Sequence, residues 1–326
     1  MPDSDQFEAA AHEAVNRWGI KAEAVELVSM SENAVFRINQ ADGPPAILRL
    51  HRPGYNTTAQ MESELVWVDS LRSTGLDIPS AIRTPTGEGY VAVKVGNETR
   101  QAGLVEWVDG VCLENVVDDD PTLVPTHFHK LGAIMAQIRD HSENWDVPAD
   151  FDRRRWDAEG LVGADALWGR FWEVDALTAP QRDLLGKARA RLYEQFKSLP
   201  IDRESFGLIH ADLHLHNVLA SGDRLVVIDF DDSGWGWYPY ELAVALRAAK
   251  DVPWFEDALR SLIDGYNTVH ALRPDELELI PALIAVRTMI SIGWLDARPE
   301  LGAESEMPRI VDRAMAEAET YLAANR

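Results

Sequence analysis

The stretch LIHADLHLHNVL, residues 208–219, decides how this chain is read. His210, Asp212, His214 and His216 recur at every second position. On a strand all four would point to one face, which is the layout of a metal cage. The same letters also spell H-x-D-x-x-x-x-N, ending at Asn217. In that spacing one carboxylate and one amide carry the chemistry, and His214 and His216 become bystanders or substrate-side contacts.

The downstream sequence separates the two readings. VVIDFDD, residues 226–232, is an apolar strand that ends on carboxylates. The turn ASGDR (220–224) lets NVL and LVVID pair as a hairpin, which would bring Asn217 and Asp229 to one ion. A carboxylate plus an amide oxygen is a ligand pair for Mg2+, which prefers such donors to imidazole. Phosphoryl transfer also needs a carboxylate at the attacking hydroxyl, and Asp212 supplies it. Asp231 follows as a second metal ligand or a turn cap, with Asp232 beside it. The competing reading is a metal-dependent hydrolase built on His210, Asp212, His214 and His216, and it would draw further ligands from Asp229, Asp231, Asp232 or His270.

Outward from this stretch the pattern is α+β. Residues 4–18 carry a helical apolar face, followed by extended pieces at VELVSM, AVFRI and AILRL, with ADGPP (41–45) as a hairpin turn. A helix is expected over 57–73, then strands at GYVAVKV and AGLVEWV. VVDDDP (116–121) reads as a linker or helix entrance. Helices follow at 126–142 and 180–198, and residues 239–325 are nearly all helical. There is no G-x-x-x-x-G-K-[ST] and no G-x-G-x-x-G, so P-loop and Rossmann readings lose their main support.

LIHADLHLHNVL together with VVIDFDDSGWGWYPYELA resembles the aminoglycoside phosphotransferase and choline kinase family, and SENAVFRI, AILRLHRPGY, SELVWVDSL and LVEWVDG extend the resemblance along nearly the whole chain. It implies a bilobal protein-kinase-like fold. Residues 1–108 would form a nucleotide-binding lobe with an antiparallel sheet, and 109–326 a mostly helical catalytic and substrate lobe. It also implies an ATP-dependent small-molecule kinase that uses Mg2+, with ATP between the lobes. By motif, Asp212 is the catalytic base, Asn217 and Asp229 hold the metal, and His210 braces the loop. The phosphate-binding lysine is replaced by Arg49, which is not a simple substitute. Its ion-pair partner is expected to be Glu64, with Glu62 second. Lys94 in VAVK is a decoy, because no helix follows it. The nucleotide loop would be SMSENAVF (29–36), where Ser31 and Asn33 offer side-chain donors in place of glycine. Backbone groups of Glu106 and Val108 in EWVDG would meet adenine.

Composition narrows the acceptor. With 54 acidic against 31 basic residues the formal net charge is −23, which disfavours nucleic acid and anionic membranes. That charge fits a solvated surface or an acidic cleft for a cationic substrate. Trp235 and Trp237, with Tyr238 and Tyr240, are either cation–π partners for an amine or core packing. The single cysteine, Cys112, excludes an internal disulfide and, with the acidic, non-apolar N-terminus, points to the cytoplasm. A small-molecule hydroxyl acceptor is the leading expectation. Its rivals are a protein serine/threonine kinase of the same fold and a non-catalytic nucleotide-binding module.

Overall fold

The structure is a computed structural model that describes residues 4–31, 33–302 and 304–324. The chain forms two compact units. The first takes Met1–Val111, Pro148–Asp152 and Ala220–Asp231, and the second takes Cys112–Val147, Arg153–Leu219 and Asp232–Arg326. The chain first changes unit close to the expected boundary at 108. Two later segments then rejoin the first unit, so Asp229 and Asp231 lie there and not with the helices.

The first unit begins with α1 (Ser4–Arg17), then β1 (Ala22–Met30), β2 (Ala34–Gln40), β3 (Ala46–Leu50), α2 (Thr58–Ser73), β4 (Tyr90–Val95) and β5 (Glu98–Glu106). The five strands form an antiparallel sheet in the order β1-β2-β3-β5-β4. Alternation along β2 and β3 puts Phe36, Ile38, Leu48 and Leu50 in a core shared with Phe7, Ala11 and Val15 of α1. Thr57 and Gln60 close a capping box that starts α2. Glu32, inside the expected nucleotide loop, lies outside the described residues.

After β6 (Val111–Cys112) come α3 (Leu113–Asp119), α4 (Val124–Asn144), β7 (Arg155–Trp156), α5 (Ala158–Val162), α6 (Ala179–Lys197), β8 (Phe206–Ile209) and β9 (Val218–Ser221). Gly222, at φ 60°, turns the end of β9 into β10 (Arg224–Val227). The returning segment is fastened to the first unit. Val227 N–H donates to Asp77 O at 2.9 Å, Arg224 pairs with Asp77 at 2.9 Å, and Phe230 packs edge-on to Trp67.

The second unit ends with β11 (Gly234–Trp237), α7 (Pro239–Ala249), α8 (Phe255–Asn267), α9 (Pro274–Asp296) and α10 (Met307–Ala324). β11 lies between β7 and β8. The Gly-Trp alternation of GWGW (234–237) makes it a period-2 strand. A Cβ on Gly236 would sit 2.3 Å from Ile209 Cδ1, so glycine permits the close packing there. α4 and α8 touch backbone to backbone at Gly132 and Gly265. α9 has the length and apolarity of a membrane span, but 72% of its most apolar window is buried inside the protein.

Candidate active site

Two residues other than glycine have left-handed backbones among the described residues: Ala211 and Asp229, both at φ 65°. One precedes Asp212 and the other lies two residues past the end of β10. Such conformations cost about 1–3 kcal/mol each and persist where the surroundings enforce them.

In the second unit the opening stretch is not one strand. β8 stops at Ile209, an irregular loop carries 210–214, and Leu215–Asn217 form a 3-10 turn. The four alternating side chains therefore do not share a strand face, and each has its own task. His210 is fully buried, and its Nδ1 accepts the Asp212 N–H at 3.3 Å. His214 Nε2 lies 3.3 Å from Asp212 Oδ2, so it is no bystander. His216 pairs with Glu114, and its Nδ1 is 3.6 Å from Cys112 Sγ. Asn217 Nδ2 donates to Asp212 O at 2.9 Å and to Oδ2 at 3.0 Å. With the amide nitrogen used this way, the amide oxygen is the group left to meet a cation.

Asp212 has a partner that sequence reading missed. Arg287, only 4% exposed in the middle of α9, donates Nη2 to Asp212 Oδ1. The guanidinium is stacked on Trp168 at 4.1 Å. Burial pushes the Asp212 carboxyl upward, but the charges of His214 and Arg287 outweigh it and hold the group below the usual carboxylate range. Beneath the loop, Glu241 of α7 accepts the N–H groups of His210 and Ala211 through Oε1. Burial pushes this carboxyl up to about 8.

In the first unit Arg49 stands on β3, the strand before α2. Its Nη1 is 2.7 Å from Asp229 Oδ1 and 3.7 Å from Asp231 Oδ2. Burial lowers its proton affinity, and the carboxylates of Asp229, Asp231 and Glu64 more than restore it. Glu64 is thus buried within the field of Arg49, and the ion pairs at salt-bridge distance are to Asp229 and Asp231. Glu62, the second choice, is half-buried on the same helix. Lys94 is exposed and donates to Thr99 Oγ1 at 2.6 Å.

Asp231 is clamped more closely than a simple turn cap. It accepts Asn33 Nδ2 at 2.8 Å, its Oδ1 lies 3.3 Å from His51 Nδ1, and its carbonyl accepts Asn56 Nδ2 at 3.2 Å. Burial opposes the charge, while His51 and Arg49 hold the carboxyl well below its ordinary range. Asn33 Oδ1 also accepts the Arg52 N–H at 2.8 Å, so this expected nucleotide donor ties its loop to Asp231. Ser31 is exposed, and its N–H donates to Asn33 O. Glu106 N–H is engaged by Ser80 O at 3.0 Å, and half-buried Val108 lies just past the strand.

The remaining candidates belong to the second unit. Asp232 pairs with Arg154 at 2.9 Å, and its carbonyl accepts Trp156 Nε1. Trp235 is half-buried on β11. Trp237 is a correction: it is 2% exposed, donates to Pro200 O and packs on Phe196 and Phe206, so it offers no face to an acceptor.

Residues 23–278 match the model of the phosphotransferase enzyme family. The chain belongs to that family. Its fold is protein-kinase-like, with an antiparallel sheet in one unit and helices in the other, as in the family's solved structures. A microcompartment-associated aminopropanol kinase is 28% identical with a TM-score of 0.84, covering 97% of this chain and 98% of that one. A choline kinase from Streptococcus pneumoniae, 15% identical, shares the fold with a TM-score of 0.67 over 98% of this chain and 100% of its own. Amicoumacin kinase of Bacillus subtilis is 23% identical over 308 residues, 90% of this chain and 86% of the relative. A homoserine kinase of Parvibaculum lavamentivorans is 30% identical over 234 residues, 68% of this chain and 65% of the relative. This family member is a small-molecule kinase, which sets aside the hydrolase and the non-catalytic module.

Proposed function

We propose that this phosphotransferase moves the γ-phosphate of ATP to the hydroxyl of a small, amine-bearing alcohol. The observation that carries the reading is the Asp212 loop: a strained Ala211, an ionised Asp212, and Asn217 fixed with its amide oxygen to spare. Aminopropanol and homoserine, the acceptors named for two relatives, each carry a hydroxyl and an amino group, and the acidic balance of the chain favours a cation.

In this reading Asp212 orients the acceptor hydroxyl and takes its proton as the new O–P bond forms and the bond to the ADP leaving oxygen breaks. A carboxylate held so low stays ionised at any working pH, so it serves more by orientation than by strong basicity. Arg49 binds the α- and β-phosphates, exchanging part of its contact with Asp229. Asn217 and Asp229 would hold Mg2+; their oxygen donors fit it, and Arg49 is the cation that Asp229 faces meanwhile. When bound, the ion neutralises charge on the transferring phosphoryl group. Asn33, His51 and Asp231 keep the loop after β1 in register with Asp229.

A coupled ADP-release assay over amino alcohols, sugars, aminoglycosides and a generic protein acceptor tests this. Mg2+-dependent ADP release stimulated by an amine-bearing alcohol is the expected result. Release stimulated only by the protein acceptor, or by none, would overturn it.

A further inference from the structure

Arg287 reaches Asp212 with a long side chain from the middle of α9, and hydrogen bonds alone do not fix it. Nη2 donates to Asp212 Oδ1, while Nε and Nη1 are buried without a hydrogen bond among the described residues. One contact at a single tip of the fork leaves the guanidinium plane able to turn about it. The plane is set instead by a ring. Cζ of Arg287 sits over the Trp168 ring, 4.1 Å from its centre.

Trp168 stands in no regular element, on the segment after α5, yet it is buried and tightly held. Leu167 N–H donates to Gly160 O at 2.8 Å, and Gly169, at φ 81°, returns its N–H to Ala166 O at 2.9 Å, which closes a turn around Trp168. A Cβ on Gly293 would come within 2.3 Å of Trp168 O, so glycine lets this turn lie against α9 about two helical turns after Arg287. Trp156 meets the Trp168 ring edge-on at 5.4 Å, and Trp294 tilts against it at 6.3 Å. Trp156 is itself fully buried, stacked on Tyr240 at 6.1 Å and anchored by its Nε1 donor bond to Asp232 O at 2.8 Å. A face fixed in this way removes the rotamer freedom that would let Arg287 swing off the carboxylate.

We infer that Trp168 is a positioning residue of the phosphoryl transfer: its ring seats the Arg287 guanidinium, and Arg287 in turn aims the Asp212 carboxylate at the acceptor hydroxyl. The inference rests on the role proposed for Asp212 and deepens it, since a residue far from the H-x-D-x-x-x-x-N motif then helps to set the rate. Trp168 touches neither nucleotide nor acceptor in this account and acts through Arg287 alone.

A mutant cycle in kcat tests it, read as ADP release at saturating Mg-ATP with homoserine and 1-aminopropan-2-ol as acceptors. Trp168→Leu is expected to lower kcat roughly 10–30-fold, the scale of a desolvated cation–π contact, and to leave calorimetric Mg-ATP binding within about twofold of wild type. The same change made on top of Arg287→Met is expected to cost less than about twofold more. Trp168→Phe keeps a ring face and should restore most of the rate; if the leucine variant does not fold, the phenylalanine variant runs the same cycle with a smaller step. Trp294 carries Arg298 on its ring at 4.6 Å, so Trp294→Leu disturbs the same cluster through another cation and is expected to hold kcat within about twofold. NMR of arginine-labelled protein reads the contact without turnover. The Arg287 Nε–H signal, assigned by its loss in Arg287→Met, should shift and exchange faster with water in Trp168→Leu. Additive losses in the double variant, an equal loss in Trp294→Leu, or an unmoved Arg287 signal overturns the inference. A signal that responds to Trp168→Leu in a protein that releases no ADP with any acceptor would uphold the seat of Arg287 and count against the kinase reading instead.

Discussion

The first unit and the second each build an arginine–carboxylate cluster beside a residue of positive φ, but they assemble it differently. Around Asp229 and Asp231 the partners Asn33, Arg49 and His51 come from the β2 and β3 region of one sheet, and the carboxylates arrive on the segment that follows β10. Around Asp212 the histidine and the amide are local, whereas Arg287 comes from a buried helix 75 positions later. The first cluster faces its carboxylates with several donors, as suits the exchange of an arginine for a metal and phosphates proposed above. The second fixes a single carboxylate from both sides, as suits the orienting role proposed for Asp212.

That contrast can be broken by substitution. The largest effect is expected for Asp212→Asn, which should cut turnover by roughly 10²–10⁴ in a steady-state assay. Wild-type turnover in that variant would remove Asp212 from the chemistry. Arg287→Met comes next: it leaves a partly buried carboxylate without its cation and should cost about 3 kcal/mol in denaturant unfolding. It should also move the acidic limb of kcat/KM upward in pH, since Arg287 helps to depress the Asp212 pKa. An unshifted limb would mean that His214 and His210 set the charge of Asp212 without Arg287.

Glu241 gives a pH test of the strained loop. In the folded protein its proton is held up to about 8, against 4.5 in the unfolded chain, so between those values the folded state binds more protons. Stability from this group therefore falls as pH rises through that window. Glu241→Gln retains a carbonyl for the His210 and Ala211 N–H groups and removes the titration. It should flatten the decline of unfolding free energy between about pH 5 and pH 8, and an unchanged slope would assign the decline elsewhere. The smallest effect is expected for Asn33→Ala, about 1 kcal/mol in thermal unfolding with a few-fold weaker Mg-ATP binding. A null result would show that the loop does not need its tie to Asp231.

What was legible in the sequence was local. The H-x-D-x-x-x-x-N spacing, the hairpin turn at Gly222, the helix after Arg49 and the exposed Lys94 all follow from short-range pattern. Arg287 was not read, although an arginine inside the apolar run PALIAVRTMISIGWLD must find an anion when the helix is buried. His51 gives no spacing signal at all, because its partner Asp231 comes from another part of the chain. For Trp237 the sequence allows both amine binding and core packing, because exposure cannot be judged from composition, and the strand through GWGW places it in the core. The Arg49 contacts likewise needed the returning β10 segment, since on the sheet and helix alone Glu64 was the natural partner.

The central claim is the division of labour between Asp229, which serves nucleotide and metal, and Asp212, which serves the acceptor. Titration of Mg-ATP into Asp229→Ala and Asp212→Asn side by side tests it most directly. The account expects binding to weaken by about 100-fold in Asp229→Ala, at least the scale of losing a metal-site group, and to stay within about twofold of wild type in Asp212→Asn. Unchanged affinity in Asp229→Ala, or an equal loss in both, would contradict it.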